Sequence, residues 1–482
     1  MTSDNPASAP AGNEPVRVAL PRGDLRGPVD AHLRDVDFVV EGYGSGARTY
    51  TFGVEERPGI AVRVFSDADI PIQVALGNYD LGIASRTWVD ELLVRHRLDS
   101  VVPLRQIDVP TAELVVAGGA GVTLDSLAQG VVRVATEYPN LAAHYLANAR
   151  VPDYRLFEVW AQAEAWPPQD AELAIAPRPA VEKEGLEVLG EVHLGGVWLI
   201  ANRESLANRD LSAALEPLLR IPRATESRGI VQPRPLEITA RKRAVEQPAE
   251  REVFRIAVPD GHAQRHTVAA LADAGISFPG YEADSASRYP DSGRDDVQIK
   301  VMRPQDMPRA VALGQVDLAL TGRDWLRAFI ATFPGAPVVE LCDLKRSKYR
   351  LGAVVTEDLP VETIEEAIAY WRKDDPEKPI RVASEYVSLA DEYARSRHLG
   401  RYQVIPISGA SEGFVPADAE ILIEGTETGT TLRANRLTMI DVIMESTNCA
   451  IGAVERPAGK RGELRDDFVA RMARAAEAAA VD

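Results

Sequence analysis

Residues 17–23 read Arg17-Val18-Ala19-Leu20-Pro21-Arg22-Gly23, and residues 255–261 read Arg255-Ile256-Ala257-Val258-Pro259-Asp260-Gly261. The two stretches lie 238 positions apart (255 − 17). Each is a short apolar run closed by Pro and Gly, the pattern of a buried strand that ends in a turn. Further correspondences follow in the same order. Ile70-Pro71, Gly77, Asp80-Leu81 and Trp88 answer to Met307-Pro308, Gly314, Asp317-Leu318 and Trp325 at 237 (307 − 70). Arg133-Val134-Ala135-Thr136-Glu137-Tyr138 answers to Arg381-Val382-Ala383-Ser384-Glu385-Tyr386 at 248, and Asp170-Ala171-Glu172 to Asp418-Ala419-Glu420 at the same offset. Ordered matches at nearly constant spacing mark a tandem duplication.

Length alone, 482 residues, suggests about three domains. The duplication replaces that estimate with repeat 1 over 16–205 and repeat 2 over 253–457. Residues 206–252 between them read as a linker: a helix over 211–219, then a Pro-containing stretch, 220–251, with eight basic and four acidic residues. Residues 1–15 carry no basic residue and no apolar run, so they read as a disordered tail and not as a signal peptide. Residues 458–482 read as a C-terminal amphipathic helix. Within the repeats, strand patterns at 16–20, 61–65, 81–84 and 114–117 alternate with helical patterns such as 267–274 and 308–313. That alternation predicts an α/β fold, with each repeat split into two lobes around a cleft.

Composition narrows the function classes. Hydrophobic residues make up 45% and charged residues 26%, with a net charge of −18. These values fit a folded, water-soluble protein and argue against bulk nucleic-acid binding. No apolar stretch is long enough to span a bilayer, and a cytoplasmic location is expected. Cys342 and Cys449 are too few for a disulfide framework and read as reduced thiols. His262 and His266 are four apart at a helix start, but the segment lacks the Glu of a zinc-protease motif and the sequence shows no third ligand. They read as surface histidines, with no resident metal expected. Trp88 and Trp325, at equivalent positions, read as core packing.

The strongest chemical signal is 421–435, Ile-Leu-Ile-Glu-Gly-Thr-Glu-Thr-Gly-Thr-Thr-Leu-Arg-Ala-Asn. An apolar strand ends in Glu424, a loop of Gly and Thr follows, and a helix is expected from about Leu432. Small residues let backbone N–H groups converge on an anion, Thr hydroxyls add donors, and a helix start adds positive potential. The segment thus reads as a phosphate cradle, with Glu424 placed to accept hydrogen bonds from a sugar diol. Repeat 1 has Ala174-Ile175-Ala176-Pro177-Arg178-Pro179-Ala180 there, without the Thr-Gly-Thr-Thr run. A second asymmetry runs the same way: Lys345-Arg346-Ser347-Lys348-Tyr349-Arg350 in repeat 2 faces Asp108-Val109-Pro110-Thr111-Ala112-Glu113 in repeat 1. Cradle and cations absent from the same copy suggest that both serve one polyanion.

These residues resemble the ATP phosphoribosyltransferase family, the first enzyme of histidine biosynthesis. The resemblance rests on Glu424 with Thr428-Gly429-Thr430-Thr431-Leu432-Arg433-Ala434-Asn435, on Asp69-Ile70-Pro71 with Gly77, Asp80, Leu81, Gly82 and Ile83, on 133–139, on Arg350-Leu351, and on Gly409 with Glu412. The sequence departs from the family pattern at Glu424 and Glu420, where Asp is usual, at Gly425-Thr426, where an apolar pair is usual, and at Asp260. The family's Leu-Pro-cation-Gly stands intact only in repeat 1, at Leu20 to Gly23. The resemblance implies two-lobed units of the type II periplasmic-binding-protein kind, packed as a pseudo-dimer. It implies condensation of ATP with phosphoribosyl pyrophosphate, with Mg²⁺ carried by substrate phosphates. Implied site residues are Thr428, Gly429, Thr430 and Thr431 for the 5′-phosphate, with Glu427 beside them, Glu424 for the ribose hydroxyls, Arg350 and Lys348 for pyrophosphate or ATP phosphates, and Arg22 completing the site from repeat 1. The residues after 457 are too few for the regulatory domain of the family's long form, and a homo-oligomer or regulatory subunit stays open. Two alternatives stand beside this reading: a non-catalytic two-lobed binder, and a phosphoribosyltransferase for another base.

Overall fold

The computed structural model describes residues 15–44, 51–96, 100–127, 130–225, 229–236, 252–283, 287–373, 375–409 and 411–478. The expected tail up to residue 14 and the basic end of the expected linker lie outside these residues. The chain divides into two compact units. Unit one holds residues up to Glu158 and Pro167–Arg241, and unit two holds Val159–Trp166 with everything from Lys242 onward.

Unit one carries β1 (Val16–Pro21), β2 (Thr51–Gly53), β3 (Ile60–Phe65), β4 (Leu81–Ser85), β5 (Val101–Ile107), β6 (Leu114–Gly118), β7 (Val132–Thr136), β8 (Tyr154–Glu158), β9 (Leu173–Pro177), β10 (Glu187–His193) and β11 (Val197–Asn202). They form two sheets, β2-β3-β1-β4-β11-β5 and β10-β6-β9-β7-β8. In the first, β1 pairs in parallel with β3 and β4, and β11 enters antiparallel. In the second, β7 pairs in parallel with β8 and β9, and β6 enters antiparallel. Leaving aside edge strand β2, both sheets share one order: second strand, first strand, third strand, an antiparallel visitor, last strand. The visitor strands β6 and β11 follow the two crossings between lobes. The chain leaves the first lobe after β5 and returns after β10, so each lobe is built around a strand that the crossing delivers.

Unit two repeats this plan. Its strands are β12 (Phe254–Pro259), β13 (Val297–Met302), β14 (Leu318–Gly322), β15 (Val338–Asp343), β16 (Tyr349–Thr356), β17 (Ile380–Ser384), β18 (Tyr402–Pro406), β19 (Ile421–Thr426), β20 (Leu437–Ser446) and β21 (Asn448–Ala453). The sheets are β13-β12-β14-β21-β15 and β18-β17-β19-β16-β20, with β21 and β16 as antiparallel visitors. The protein is therefore an α/β tandem repeat of a two-lobed unit. Central strands such as β4 and β14 are buried along their whole length, as expected where helices cover both faces of a sheet.

Framework contacts recur at matching positions. The Tyr43 hydroxyl donates to the Pro21 carbonyl at 2.6 Å, and Tyr281 to Pro259 at 2.7 Å. Asp80 accepts the Arg17 N–H and pairs with Arg209, while Asp317 accepts the Arg255 N–H and pairs with Arg461. Arg133 pairs with Glu172 at 2.6 Å, and Arg381 with Glu420 at 2.9 Å.

The repeats run further than the expected ends at 205 and 457. In unit one, helix Ser212–Leu218 belongs to the core: Leu211, Ala214, Leu218 and Ile221 are buried against β1, β3 and β4. In unit two, helix Gly459–Ala478 does the same work with Leu464, Phe468 and Met472. The helix expected over 211–219 is present and closes the first lobe, because its apolar spacing needs burial. Repeat 1 is also not contiguous in space. Val159–Trp166 groups with unit two, where the Tyr289 hydroxyl donates to the Ala165 carbonyl at 2.6 Å and the Lys300 ammonium lies 4.7 Å from the Trp166 ring centre. No helix among the described residues is long and apolar enough to cross a membrane.

Candidate functional site

In unit two the carboxyl ends of the parallel strands open on a cleft of about 460 Å³ between its lobes, the usual ligand position in sheets of this order. The first lobe contributes Asp260, Gly261 and His262 after β12, Arg303 after β13, and Asp324 and Trp325 after β14. The second lobe contributes Tyr386 after β17, Glu412, and the stretch from Glu424 to Glu427 with Thr428, Thr431 and Leu432. Ser347, Tyr349 and Asn448 come from the two crossings.

The loop after β19 has the form its sequence predicts. Gly429 takes φ +70°, a left-handed value that favours glycine, and its N–H donates to Thr426 Oγ1 at 2.8 Å. Thr428 and Thr430 share a hydroxyl bond of 2.9 Å. Thr428, Thr430 and Thr431 are exposed, so their hydroxyls are open to a ligand. The helix that follows is only Thr430–Ala434, starting earlier than expected and ending within five residues. So short a helix has little macrodipole, so any anion held by the loop would have to be held by its N–H groups and hydroxyls.

Glu424 sits at the end of β19 and lines the cleft. Burial pushes its carboxyl up to about 7, against bonds from the Ser411 hydroxyl and the Gly425 N–H, with Glu385 and Glu412 adding repulsion. Gly425 is where the Tyr349 ring packs: a Cβ there would come within 2.7 Å of it. Across the cleft, Trp325 stacks on Tyr386 at 4.2 Å between ring centres, and Trp160 meets Trp325 edge-on at 5.9 Å. The buried Asp324 accepts from the Tyr386 hydroxyl at 2.7 Å and from Ser446 at 2.8 Å. Burial, reinforced by the Asp324 charge, holds the Tyr349 and Tyr386 hydroxyls well above their ordinary pKa. Both remain proton donors.

Within unit two, the structure brings Glu424, Glu427, Thr428 and Thr431 to the cleft, with Gly429 and Thr430 in the same loop, and Arg350 and Lys348 are not among the residues that line it. Arg350 is exposed and does not line the cleft, although its neighbour Tyr349 does. Successive residues of a strand point to opposite faces, so Tyr349 and Arg350 cannot both face inward. Lys348 pairs with Glu445 at 3.1 Å, and Arg346 pairs with Asp273. None of Lys345, Arg346 and Lys348 lines the cleft. Arg22 belongs to unit one, where its guanidinium donates to Ser66 Oγ at 2.9 Å.

The cleft has a cation that sequence reading missed. Arg303 lines it and lies 3.4 Å from Asp260. Its counterpart in repeat 1 is Ser66 (303 − 66 = 237), the residue bound by Arg22. The Asp260 departure is thus matched by a cation on the opposite partner, a signal that aligning the two repeats could have given. Trp325 was also underread: it packs on the core and lines the cleft as well.

Four sheets of one order and a cleft with a Gly/Thr loop define a duplicated two-lobed α/β ligand-cleft protein. The ATP phosphoribosyltransferase (HisG) family model matches residues 66–221 and 303–473, more than half of the chain. These two matches are offset by 237 at the start and 252 at the end (303 − 66, 473 − 221), in step with the internal repeat. The chain belongs to the HisG ATP phosphoribosyltransferase family. It is 34% identical over 200 residues to the ATP phosphoribosyltransferase of Chlorobium phaeovibrioides, an alignment covering 40% of this chain and 61% of that protein. It is 29% identical over 201 residues to that of Thermodesulfovibrio yellowstonii, covering 41% and 62%. The chain thus spans about three-fifths of the length of these curated relatives. Among solved structures, the HisG:HisZ complex of Thermotoga maritima aligns over 47% of this chain and 98% of the other, at 20% identity and TM-score 0.37. The Escherichia coli sulphonate-binding protein SsuA aligns over 47% and 73%, at 16% identity and TM-score 0.31.

Proposed function

We propose that unit two condenses ATP with phosphoribosyl pyrophosphate, releasing phosphoribosyl-ATP and pyrophosphate, the first step of histidine biosynthesis, in the cytoplasm. The observation that carries this reading is Glu424 and the Thr428–Thr431 loop facing one cleft in a chain of this family. Adenine N1 brings its own lone pair to ribose C1, the bond from C1 to the pyrophosphate oxygen breaks, and the electron pair leaves with pyrophosphate. No nucleophilic side chain is required, so the protein's work is positioning and charge stabilisation.

In this reading the N–H groups and hydroxyls of the Thr428–Thr431 loop hold the 5′-phosphate, with Glu427 bordering it. Glu424, when ionised, accepts hydrogen bonds from the ribose hydroxyls. Arg303 takes the pyrophosphate role first expected of Arg350 and Lys348, and the Trp325 and Tyr386 rings offer a face to the adenine. Mg²⁺ fits the donor set, since the cleft carries carboxylate oxygens from Asp260 and Glu412 and a hard cation takes oxygen ligands. Bound with the substrates, it would neutralise phosphate charge.

Incubation of the purified chain with ATP, phosphoribosyl pyrophosphate and Mg²⁺ tests the reading. Phosphoribosyl-ATP and stoichiometric pyrophosphate are expected. No product with ATP would overturn it, and a screen of other bases would then identify a different acceptor. Binding of phosphoribosyl pyrophosphate without turnover of any base would point to a binder, the reading that Asp260 in place of a cation favours.

A further inference from the structure

We propose that His262, His266 and Glu427 form a binding site for one divalent transition-metal cation, of the zinc class, at the rim of the unit-two cleft. Sequence offered only two histidines four apart. The fold supplies the third ligand, from the loop 161 positions beyond His266 (427 − 266). Helix His262–Asp273 begins at His262, so its first two turns place both imidazoles on one face. The loop after β19 then carries Glu427 over that face. One donor atom from each of the three lies within 4.8 Å of the others.

The distances suit a cation. His262 Nε2 lies 3.0 Å and His266 Nε2 3.6 Å from the same carboxylate oxygen, Glu427 Oε1. Ligands about 2.1 Å from a tetrahedral centre stand about 3.4 Å apart, so the observed spacings bracket the requirement. Two imidazoles and one carboxylate are also the donor set of three-ligand zinc sites that leave a position open. Imidazole nitrogen selects this class over Mg²⁺, which prefers oxygen. His262 and Glu427 both line the cleft, so the site borders it.

Binding exchanges hydrogen bonds among these side chains for bonds to the cation. Arg265 Nε donates to His266 Nε2 at 3.3 Å, so that nitrogen carries a lone pair. Glu427 Oε1, 3.6 Å from the same nitrogen, accepts from His262, with the Ser347 hydroxyl at 3.4 Å. A cation there would take the His266 lone pair in place of the Arg265 N–H, and the Glu427 oxygen in place of the His262 proton. The guanidinium of Arg265 opposes that cation and must swing away; it is on an exposed residue at the helix surface. Arg346 is nearby but is paired with Asp273. Burial pushes the Cys342 thiol up to about 11 and the Cys449 thiol well above its usual range, so both stay protonated and compete weakly. The inference stands on these three side chains and does not depend on the phosphoribosyl reading.

Cobalt(II) is the probe. The full chain, freed of metal by chelator and titrated at pH 7.5, should bind one Co²⁺ with the visible absorption of a low-coordinate nitrogen/oxygen site, and Zn²⁺ should displace it. His266→Gln and Glu427→Gln should each weaken binding by more than about tenfold, since even loss of an outer partner of a metal ligand costs about 10–100-fold. Both positions are at the surface or only half-buried, and an unchanged circular dichroism spectrum would certify folding. Absence of a visible Co²⁺ band in the parent chain would overturn the proposal. So would wild-type affinity in the His262→Gln/His266→Gln double variant, which would place the metal elsewhere.

Discussion

The two repeats keep their scaffold and part company at the cleft. Asp80 and Asp317, Tyr43 and Tyr281, and the pairs Arg133–Glu172 and Arg381–Glu420 hold the same places in their units. The strand ends differ. In unit one, β9 runs straight into helix Arg178–Glu184, and Arg178 is tied to Glu113 and Glu191. In unit two the equivalent strand opens into the Gly/Thr loop. Arg22 with Ser66 in one unit becomes Asp260 with Arg303 in the other. Contacts that hold sheets together tolerate little change, because a buried charge left unpaired is costly. Residues at strand ends face solvent or ligand and are free to diverge. The difference teaches that only unit two carries the Gly/Thr loop, while unit one keeps the same scaffold without it.

The sharpest way to break that comparison is to alter the loop in one unit and its counterpart in the other. Thr428→Val with Thr431→Val removes two cleft-facing hydroxyls while the backbone turn at Gly429 remains. Phosphoribosyl-ATP formation should fall by about 100-fold or more, since each lost charge-assisted bond to phosphate costs roughly 1.5–3 kcal/mol. Arg178→Ala in unit one should leave turnover within about twofold, as changes outside a site usually have small effects. Steady-state kinetics decide; equal losses in both variants would show that the cleft of unit two is not the place of chemistry.

How much of this was legible in the sequence follows the same division. The duplication, the α/β class and the two-lobed unit could be read because apolar strands and turn glycines repeat at fixed offsets. The loop was legible because Gly and Thr are local signals. The surroundings of Arg346 and Lys348 were not legible, because a run of cations says nothing about which acids, here Asp273 and Glu445, fold back to meet them. Strand alternation gave the cleft-lining direction to Tyr349 and not to Arg350. The His262, His266 and Glu427 cluster was illegible because its third member is brought in by the fold.

A second prediction sharpens the scaffold side. Arg381 and Glu420 are mostly buried, with side-chain exposures of 19% and 9%, whereas Arg133 and Glu172 stand at 38% and 28%. Each acid also accepts its partner's backbone N–H, at 2.8 and 2.7 Å. Glu420→Ala should therefore cost about 2 kcal/mol, because it strands a buried guanidinium and a buried N–H, and Glu172→Ala about 1 kcal/mol. Urea denaturation of the two variants measures both. A larger loss in unit one would mean that burial does not rank the two contacts.

The smallest effect concerns proton linkage at Glu424, which has Ala176 as its counterpart in unit one (424 − 248). The folded protein holds its carboxyl up to about 7, above the ordinary 4.5, chiefly through burial. Between those values the folded state binds a proton that the unfolded chain has released. The neutral carboxyl's advantage is present below about 4.5 and is lost as pH rises through 7, where the fold must carry a poorly hydrated charge. Glu424→Gln has no charge to acquire. Its stability relative to the parent should rise by on the order of 1 kcal/mol between pH 4.5 and pH 8, a figure reduced from the full shift because the carboxyl borders an open cleft. Ala176→Gln would place a polar side chain in a buried position of unit one, with no pH dependence of its own. Melting curves of the two variants against the parent across that range separate the effects. A flat difference for Glu424→Gln would mean that the carboxyl is already hydrated in the free cleft, and the site would then pay nothing in desolvation before the ribose arrives.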